Sequence, residues 1–393
     1  MIKTFKYKLY NSKHNKYLSD QVNVACWIYN HCISLHKRYY KMYHKSLNTF
    51  KLQKHLTKLK KLSKYSKWNT LGSQAIQNIT ERIDKGYQLF YKKKAEHLPN
   101  YKGRYKYKSF TLKQAGYKLS DDNQIIINKR KYKYFKSRDI EGIIRLLTVK
   151  RDNLGNYYLC VICEVEVPEP IHKTGKTAGM DFGIKTFLTL SDNTSYDNPG
   201  YLKCSLKKLK EVQQVLSIKT KGSNNRKKAK HKVGTTHQKI DNQRTDYFFK
   251  LAKHLCLTYD EIYIEDLDLN SMKESKDNDK RRERNFRRKV SDYSYGKFLN
   301  ILEYYCIKTG KKLVKIDKWE PSSKTCYRCG WYNDNLKRSD RVFKCQICDI
   351  EIDRDLNASL NILRVGTSTL CDNNHFYQKF DINDCDSIES HML

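Results

Sequence analysis

The sequence is short of proline, of acidic residues and of long apolar runs. No apolar run approaches about 18 residues, and the N-terminal segment MIKTFKYKLYNSK has no continuous apolar core, so neither a membrane span nor a signal peptide is expected. Proline is scarce at 5 residues and glycine modest at 16, whereas 12% of the residues are aromatic, which is not the composition of a disordered chain. These features indicate a soluble, intracellular protein that folds.

Acidic residues are few beside the basic ones. The chain has 42 Asp and Glu against 78 Lys and Arg, a formal net charge of +36. This excess is larger than solubility requires, and it would repel itself in a compact protein unless a polyanion neutralised it. A nucleic acid is therefore the expected partner, and a membrane surface is the less favoured alternative. At 393 residues the chain is also too long for one core, which indicates two or three domains.

The 13 cysteines do not form the pattern of a disulfide-linked secreted protein. Their number is odd and only four lie in tight pairs, which favours a reducing compartment such as the cytoplasm. Seven others have apolar neighbours and are interpreted as buried thiols. They are Cys26, Cys32, Cys160, Cys163, Cys204, Cys256 and Cys306.

The spacing of apolar residues divides the chain into segments. Recurrence every three or four positions predicts two or more helices within residues 14–97, and alternation predicts a small β domain over residues 101–167. The proline-containing segment VPEPIHKTGKTAG is the expected linker to a further domain that begins near Thr177. The tail after Leu363 is acidic and is expected to be loose.

The further domain mixes short strands with helices. MDFGIKTFLTLSDN predicts two strands, and EIYIEDLDL and KKLVKID predict one each. LKKLKEVQQVLSIKTKGSNNRKKAKHK and SYGKFLNILEYYCIKTG predict helices, while KESKDNDKRRERNFRRK is interpreted as a solvated charge run. The pattern is that of an α/β domain.

Two cysteine pairs have the spacing of a zinc site. Cys326 and Cys329 are separated by 15 residues from Cys345 and Cys348, which gives C-x2-C-x15-C-x2-C. Each pair can present two thiolates from one tight turn, and two turns complete a tetrahedral Zn²⁺ site. Unrelated core thiols or a redox pair are the alternatives. Because all four ligands are cysteine, no position is left for water, and the ion is expected to be structural.

Three acidic residues at the ends of expected elements are candidate ligands for a second kind of metal. Asp181 and Glu265 end strands, and Asp355 precedes a helix, so each also has an ordinary interpretation, with Asp355 as a helix N-cap. In a ribonuclease H-like α/β fold, the three positions converge on one edge of the sheet. Carboxylates within about 4 Å repel by about 4 kcal/mol per pair at an effective dielectric constant near 20, so cations are needed. Oxygen ligands suit Mg²⁺ or Mn²⁺, and two such ions can promote hydrolysis of a phosphodiester.

Basic segments interleaved with aromatic residues are candidate nucleic-acid contacts. YKGRYKYKSF and NKRKYKYFK combine cations with rings, and a basic helical stretch lies within residues 207–232. For the two aromatic segments the alternative is a strand with one solvent-exposed lysine face and one aromatic face in the core. For the helical stretch the alternative is a solvated helix face. The candidate residues are Lys102, Arg104, Lys106, Lys129, Arg130, Lys131, Arg226, Lys227 and Lys228.

Several of these segments resemble motifs of one family. GMDFGIKTFLTLSDN, IYIEDLDLNSM and SSKTCYRCG followed by CQICDIEIDRDLNASLNIL resemble the split RuvC motifs and zinc segment of the TnpB (OrfB) family, transposon-encoded relatives of type V CRISPR effectors. The N-terminal segments FKYKLY and YNHCISL are similar too, so the resemblance covers about residues 1–363. It implies that Asp181, Glu265 and Asp355 are the catalytic, metal-binding acids, and that the neighbouring Asp353 either supports the metal ligands or starts the helix.

The resemblance also implies an architecture. It comprises a wedge-like β-barrel domain (residues 1–13 and 101–170), a helical recognition insertion (14–100) and a ribonuclease H-like RuvC nuclease domain (171–363) with a zinc-finger insertion (320–352). A loose acidic tail (364–393) follows. The chain departs from the family pattern at Asp349, where glycine is usual, at Ser359, where alanine is common, and at Asn11-Ser12, which replaces a proline.

The activity implied is RNA-guided cleavage of DNA. The expected protein binds guide RNA and target double-stranded DNA as one protein per RNA, reads a short flanking motif, and cuts through a site with two Mg²⁺ or Mn²⁺ ions beside one structural Zn²⁺. A DNA transposase and a nuclease-inactive nucleic-acid-binding regulator are the alternatives. The three intact acids argue against the regulator.

Overall fold

The structure is a computed structural model in which the chain forms two compact units, Met1–Glu166 and Val167–Leu393. The boundary falls at the start of the expected linker. The residues described are 1–120, 122–166, 173–183, 186–266, 293–317, 320–337 and 339–372. The charge run 273–289, most of the acidic tail and part of the linker lie outside them.

The helices of the first unit lie where the apolar spacing predicts them. They are α1 (Asn15–Tyr43), α2 (Thr49–Leu59), a 3-10 helix (Ser63–Thr70) and α3 (Ser73–Tyr91). The side chain of Asn48 accepts a hydrogen bond from the backbone N–H of Lys51 at 2.9 Å, which caps the start of α2. The apolar residues that repeat at helical spacing in α1, such as Leu18 and Val22, are fully buried.

The strands of the first unit form two antiparallel sheets. One has the order β1 (Ile2–Lys8), β7 (Tyr157–Glu164), β6 (Ile143–Arg151), β2 (Ser109–Leu112). The other consists of β3 (Tyr117–Ser120), β4 (Gln124–Ile127) and β5 (Arg130–Lys133). A bridge between Leu9 and Tyr134 connects the two. The β domain is present, and closure of these sheets into a barrel stays a prediction.

The second unit is built on a mixed five-stranded sheet. Its strands are β8 (Thr177–Asp181), β9 (Leu188–Leu190), β10 (Ser195–Tyr196), β11 (Glu261–Glu265) and β12 (Lys312–Ile316), in the order β10-β9-β8-β11-β12. The β8, β11 and β12 strands are parallel, whereas β9 and β10 are antiparallel to their neighbours. Parallel strands need long connections, and helices α4 (Tyr201–Ser217), α5 (Asn224–Thr258) and α6 (Tyr295–Thr309) lie between them in sequence.

The cysteine segment leads directly into the last described helix. Strands β13 (Val342–Lys344) and β14 (Glu351–Asp353) form a hairpin, and α7 (Arg354–Asp372) begins at the next residue. The helix extends through Asp372, beyond the boundary expected at Leu363. The apolar stripe in the sequence ends at Leu363, and the residues after it continue the helix without that stripe.

Two glycines allow α7 to lie directly on the sheet. A Cβ atom at Gly179 of β8 would stand 2.1 Å from the carbonyl oxygen of Ser359 and 2.6 Å from the backbone nitrogen of Leu363. A Cβ atom at Gly366 of α7 would stand 2.1 Å from the ring of Tyr263 in β11. Both contacts are possible only without a side chain, so the glycines fix how close the helix comes to β8 and β11.

One cysteine interpretation is wrong. Cys204 is exposed, because α4 buries a single described residue, Leu209, and leaves its other faces in solvent. The other six cysteines interpreted as core thiols are buried. As to membranes, the described residues include no helix that combines the length and the apolar character of a spanning segment.

We expect Gly179→Ala to destabilise the second unit by about 3 kcal/mol or more, because the new methyl group would meet helix backbone that has nowhere to move. Denaturant unfolding of the full chain measures this. Gly103→Ala is the control, since a Cβ atom there has nothing within 4 Å. Equal stability of the two variants would contradict the close approach of α7.

Candidate functional site

The sheet and α7 bring the three predicted acids to one edge. In the parallel pair, Tyr263 lies opposite Gly179, and both contact α7, so they share one face of the sheet. Side chains two residues further along a strand return to the same face, which places Asp181 and Glu265 at the carboxyl ends of β8 and β11 on the side of α7. Asp355 is in the first turn of that helix.

Asp355 lies over this edge, and its carboxylate does not cap the helix. A Cβ atom at Gly183, just beyond β8, would stand 3.4 Å from Oδ2 of Asp355. The helix is capped instead by Asp353, whose Oδ1 accepts hydrogen bonds from the backbone N–H groups of Asp355 at 2.9 Å and Leu356 at 3.1 Å. The N-cap interpretation of Asp355 is therefore wrong, and the helix-start role expected of Asp353 is confirmed.

The electrostatics of the edge are those of crowded carboxylates. Burial, then the charges of Asp355 and Glu265, raises the pKa of Asp181 to about 7, although Arg354 and the backbone N–H of Phe182 oppose the shift. Burial also raises the pKa of Glu265 to about 6. Burial therefore disfavours the ionised form of both acids, and the neighbouring negative charges add to the shift at Asp181.

Two arginines contact the third acid. Nη2 of Arg354 lies 3.3 Å from Oδ1 of Asp355, and Nη1 of Arg341 lies 3.9 Å from Oδ2. Arg341 precedes β13 in the cysteine segment, and its carbonyl accepts a hydrogen bond from the backbone N–H of Arg354 at 2.7 Å. No sequence pattern indicates Arg341, because its contact depends on the hairpin that returns the chain to α7.

The donor set at this edge fits a hard divalent cation in kind. It consists of carboxylate oxygens, which Mg²⁺ and Mn²⁺ prefer, and a bound cation would offset the charges of Asp355 and Glu265 that, after burial, raise the pKa of Asp181. The three carboxylates are not close enough to one another to form a group that could hold one ion, however. Among the described residues, the cysteines form the one group of three or more potential ligands close enough to hold an ion.

The four cysteines form a site that fits zinc. The Sγ atoms of Cys326, Cys329, Cys345 and Cys348 all lie within 4.8 Å of one another. Cys326 and Cys348 are 3.6 Å apart, and Cys329 and Cys345 are 3.4 Å apart. Tetrahedral Zn²⁺ with bonds of about 2.3 Å requires sulfur separations of about 3.8 Å, so the grouping needs little adjustment.

The turns that carry the cysteines are built by backbone hydrogen bonds. The N–H of Cys326 donates to the carbonyl of Trp331 at 2.8 Å, and the N–H of Cys345 donates to that of Ile350 at 2.9 Å. Asp349 adopts a left-handed φ of 52°, which explains why the family usually has glycine there. Aspartate is among the residues that tolerate this conformation, so the departure does not disrupt the turn.

The basic residues predicted in the first unit lie on the surface, whereas some aromatic residues of the unit are buried and others are exposed. Lys102, Arg104, Lys106, Lys129, Arg130 and Lys131 are exposed. Tyr107, Tyr132 and Tyr134 are buried, so the alternative of a solvent-exposed basic face and an aromatic core face applies to them. The guanidinium of Arg130 lies 3.2 Å from the centre of the half-exposed Tyr17 ring.

Sequence reasoning missed an exposed aromatic pair in the first unit. The rings of Tyr10 and Phe135 stack with centroids 3.7 Å apart, and each residue is 46% exposed. Phe135 lies within the segment NKRKYKYFK, but only the isolated bridge between Leu9 and Tyr134, with the backbone hydrogen bonds beside it, brings Phe135 next to Tyr10. Exposed rings among lysines can stack with bases.

A basic helical hairpin extends from the second unit. Helices α4 and α5 pack together, and residues 201–240 contain twelve basic residues and one acidic residue. Lys227 and Lys228 are exposed, as a phosphate-binding role requires. Arg226 differs, because its Nη1 donates to the carbonyls of Leu216 at 2.9 Å and Lys219 at 2.7 Å and so joins the two helices.

Comparisons with known proteins bear on the same residues. A family described as "Probable transposase" (OrfB_IS605) matches residues 160–276, and the Cas12f1-like TNB domain matches residues 295–362. The first range contains Asp181 and Glu265, and the second contains the four cysteines and Asp355.

Curated relatives match most of the chain. A protein of Streptomyces pristinaespiralis named "Putative RNA-guided DNA endonuclease" is 28% identical over 370 residues, which span 93% of this chain and 89% of that protein. InsQ of Escherichia coli (strain K12), which carries the same designation, is 29% identical over 307 residues, 76% of this chain and 75% of its own. The chain is thus a TnpB-like protein, similar to a family related to the type V CRISPR effectors.

A solved structure agrees at the level of the fold. Cas12f1, solved with sgRNA and target DNA, superposes on this TnpB-like chain with a TM-score of 0.59 at 15% identity, covering 92% of this chain and 98% of Cas12f1. The likeness at this identity concerns the fold alone. The resemblance predicted from the RuvC-like and cysteine motifs is thus confirmed.

The pKa of Asp181 predicts an unusual pH dependence of stability. Because its folded pKa of about 7 exceeds the ordinary value of 3.8, the native state holds a proton that the unfolded chain releases, and stability falls as the pH rises between these values. We expect Asp181→Asn to remove the contribution of Asp181 to this fall, while that of Glu265 remains. In magnesium-free buffer at pH 8 the substitution should raise the free energy of unfolding by about 1 kcal/mol, a figure discounted for partial solvent exposure.

Asp192→Asn is the matched control. Although burial opposes it, hydrogen bonds from the Tyr259 hydroxyl and from Thr194 lower the pKa of Asp192, so its removal should destabilise the unit at neutral pH. Denaturant unfolding between pH 5 and 8 measures both variants. A destabilised Asp181→Asn would contradict the repulsion between the three acids.

Proposed function

We propose that the protein is a transposon-associated, RNA-guided DNA endonuclease. The observation that carries this proposal is the meeting of Asp181, Glu265 and Asp355 at one sheet edge, in a chain whose basic hairpin and zinc segment belong to the same unit. The matching family models and the names of the relatives support it. Cleavage beside a short flanking motif, and of both strands by one site, are part of the proposal.

The fold that we propose for the second unit is the ribonuclease H-like RuvC fold. The strand order β10-β9-β8-β11-β12, with an antiparallel hairpin beside parallel strands and a late helix across them, supports this assignment. For the first unit we propose a wedge-like β-barrel with a helical recognition insertion. Helices α1 to α3 lie in sequence between β1 and β2, two strands of one sheet, which supports the insertion.

The three acids are proposed to hold two Mg²⁺ or Mn²⁺ ions. Such ions, when bound, activate water and stabilise the leaving oxygen of a phosphodiester. The contribution of this chain is to present oxygen donors from two strand ends and one helix start, each on a rigid element. Asp181 must give up the proton that its neighbours favour, and Asp355 must exchange its arginine contacts for cation contacts.

Nucleic acids are the proposed partners. Pairing between guide RNA and target strand would supply the sequence specificity, while the protein supplies positive charge and shape. The exposed lysines of the hairpin and the exposed rings of Tyr10 and Phe135 support contacts to backbone and bases. The proposed assembly has one protein per guide RNA.

A DNA transposase is the second candidate, because the description of the family that matches residues 160–276 is "Probable transposase". The same acids can serve strand transfer as well as hydrolysis. Incubation with labelled transposon ends separates the two functions, since a transposase joins the ends to a target and an endonuclease leaves free 5′-phosphate and 3′-hydroxyl termini.

We expect Asp355→Ser to reduce RNA-guided cleavage by more than about 100-fold, beyond the 10-fold to 100-fold loss typical of residues that hydrogen-bond to metal ligands. Asp353→Ser is the matched control, because serine caps a helix as well as aspartate does, and its activity should stay within about threefold of the original. Cleavage of a matched plasmid by protein with co-purified RNA and Mg²⁺ measures both. Equal activities would contradict the assignment of Asp355.

We expect Lys227→Gln combined with Lys228→Gln to make the logarithmic dependence of nucleic-acid affinity on salt shallower by about 1.4 to 1.8, because two phosphate contacts are lost. Filter binding of the guide RNA over a salt series measures the slope. Lys250→Gln with Lys253→Gln on the same helix is the control, since Lys250 is paired with Asp246 at 2.7 Å. An unchanged slope in the first variant would contradict phosphate contacts by the hairpin in nucleic-acid binding.

A further inference from the structure

Helix α7 carries two asparagines that are almost completely buried. Asn357 is 0% exposed and Asn361 is 1% exposed. They are four residues apart, so their side chains leave the same face of the helix. A buried amide is costly unless it is hydrogen-bonded, so the partners of these two side chains indicate what they do.

Both asparagines bind the backbone around the first zinc ligand. Nδ2 of Asn357 donates to the carbonyl of Thr325 at 2.7 Å, and its Oδ1 accepts from the N–H of Tyr327 at 3.0 Å. Nδ2 of Asn361 donates to the carbonyls of Thr325 at 2.6 Å and Ser322 at 2.8 Å. Thr325 and Tyr327 flank Cys326, so the two amides hold the backbone on both sides of that ligand.

The second cysteine pair is attached to the same helix by the chain itself. Cys345 and Cys348 lead into β14, which ends at Asp353, the residue that caps α7. The backbone bond from Arg354 to Arg341 fixes this junction. Zinc would join the two pairs and so close a ring that runs from the asparagines through the metal and β14 to the turn of Asp355.

Stability alone does not account for Asn361. Its Oδ1 is buried and has no hydrogen-bond partner among the described residues. An unsatisfied buried oxygen costs about 1 to 3 kcal/mol, so a residue chosen only to fill the core would not be an asparagine. The two donated hydrogen bonds are what the side chain provides.

We propose that Asn357 and Asn361 are positioning residues that couple zinc binding to the placement of Asp355. With the amides in place, the zinc segment holds the first turn of α7 from two sides. Without them, the segment stays attached through β14 alone and can pivot together with that turn. The effect on catalysis rests on the proposed nuclease function, whereas the effect on zinc and on the helix turn does not.

The experiment compares Asn357→Ala and Asn361→Ala with Ser359→Ala in the zinc-loaded full chain. Ser359 is buried on the same helix, but among the described residues its hydroxyl donates to the carbonyl of Leu356 within the helix, at 2.8 Å, and to no residue of the zinc segment. Zinc release to a chromophoric chelator should be about 10-fold to 100-fold faster in the asparagine variants and unchanged in the control. Amide hydrogen exchange of residues 353–356 should rise in parallel, and the Mg²⁺ concentration for half-maximal cleavage should increase.

The result that overturns the proposal is zinc release at the control rate, or faster release with unchanged exchange at residues 353–356. Unfolding free energies are measured for all variants, so that a general loss of stability is recognised. Asn361→Ser, which keeps a short hydrogen-bond donor, replaces the alanine variant if that variant does not fold, and it should release zinc at an intermediate rate. A different result is that zinc release and amide exchange change as expected while no form of the protein, the original included, cleaves DNA. That result would support the coupling and overturn only the nuclease function.

Discussion

The close packing of α7 on β8 and β11 is the contact on which the candidate site depends. Gly179 and Gly366 remove the side chains that would separate helix from sheet, and the start of the helix then lies over the carboxyl ends of both strands. Acids from three distant parts of the sequence share one edge for this reason. Any larger residue at either glycine would move Asp355 away from Asp181 and Glu265.

A basic surface and an acidic edge occur in the same unit. Residues 201–240 of the α4–α5 hairpin contain twelve basic residues and one acidic residue, while the edge near α7 collects carboxylates, where burial and then the charges of Asp355 and Glu265 raise the pKa of Asp181. Arg341 and Arg354 partly neutralise Asp355 there. The protein thus carries an unfavourable cluster of charge at one place, as functional sites often do, within a chain whose net charge attracts phosphate.

Local patterns made several features predictable. The cysteine spacing predicts the zinc site because ligand pairs come from tight turns, and the apolar period predicts most helices and strands. The acids were found because they end elements at positions that one fold brings together. The roles of Arg341, Asn361 and the Tyr10–Phe135 pair depend on hairpin return, helix contacts and strand pairing, and residue type does not reveal these. Asp353 and Asp355 show most clearly what residue type cannot predict. Only the hydrogen bonds of the structure show that Asp353 caps the helix and that Asp355 does not.

The most direct test of the account is a Mn²⁺ titration of the zinc-loaded protein, followed by the electron paramagnetic resonance signal of free Mn²⁺. Wild-type protein should remove Mn²⁺ from solution at neutral pH, because the three carboxylates attract cations more strongly than isolated surface acids do. Asp181→Ala and Asp355→Ala should each lose this binding, while Asp353→Ser should retain it. Equal Mn²⁺ binding by all four proteins would contradict a shared cation site at the edge of the sheet.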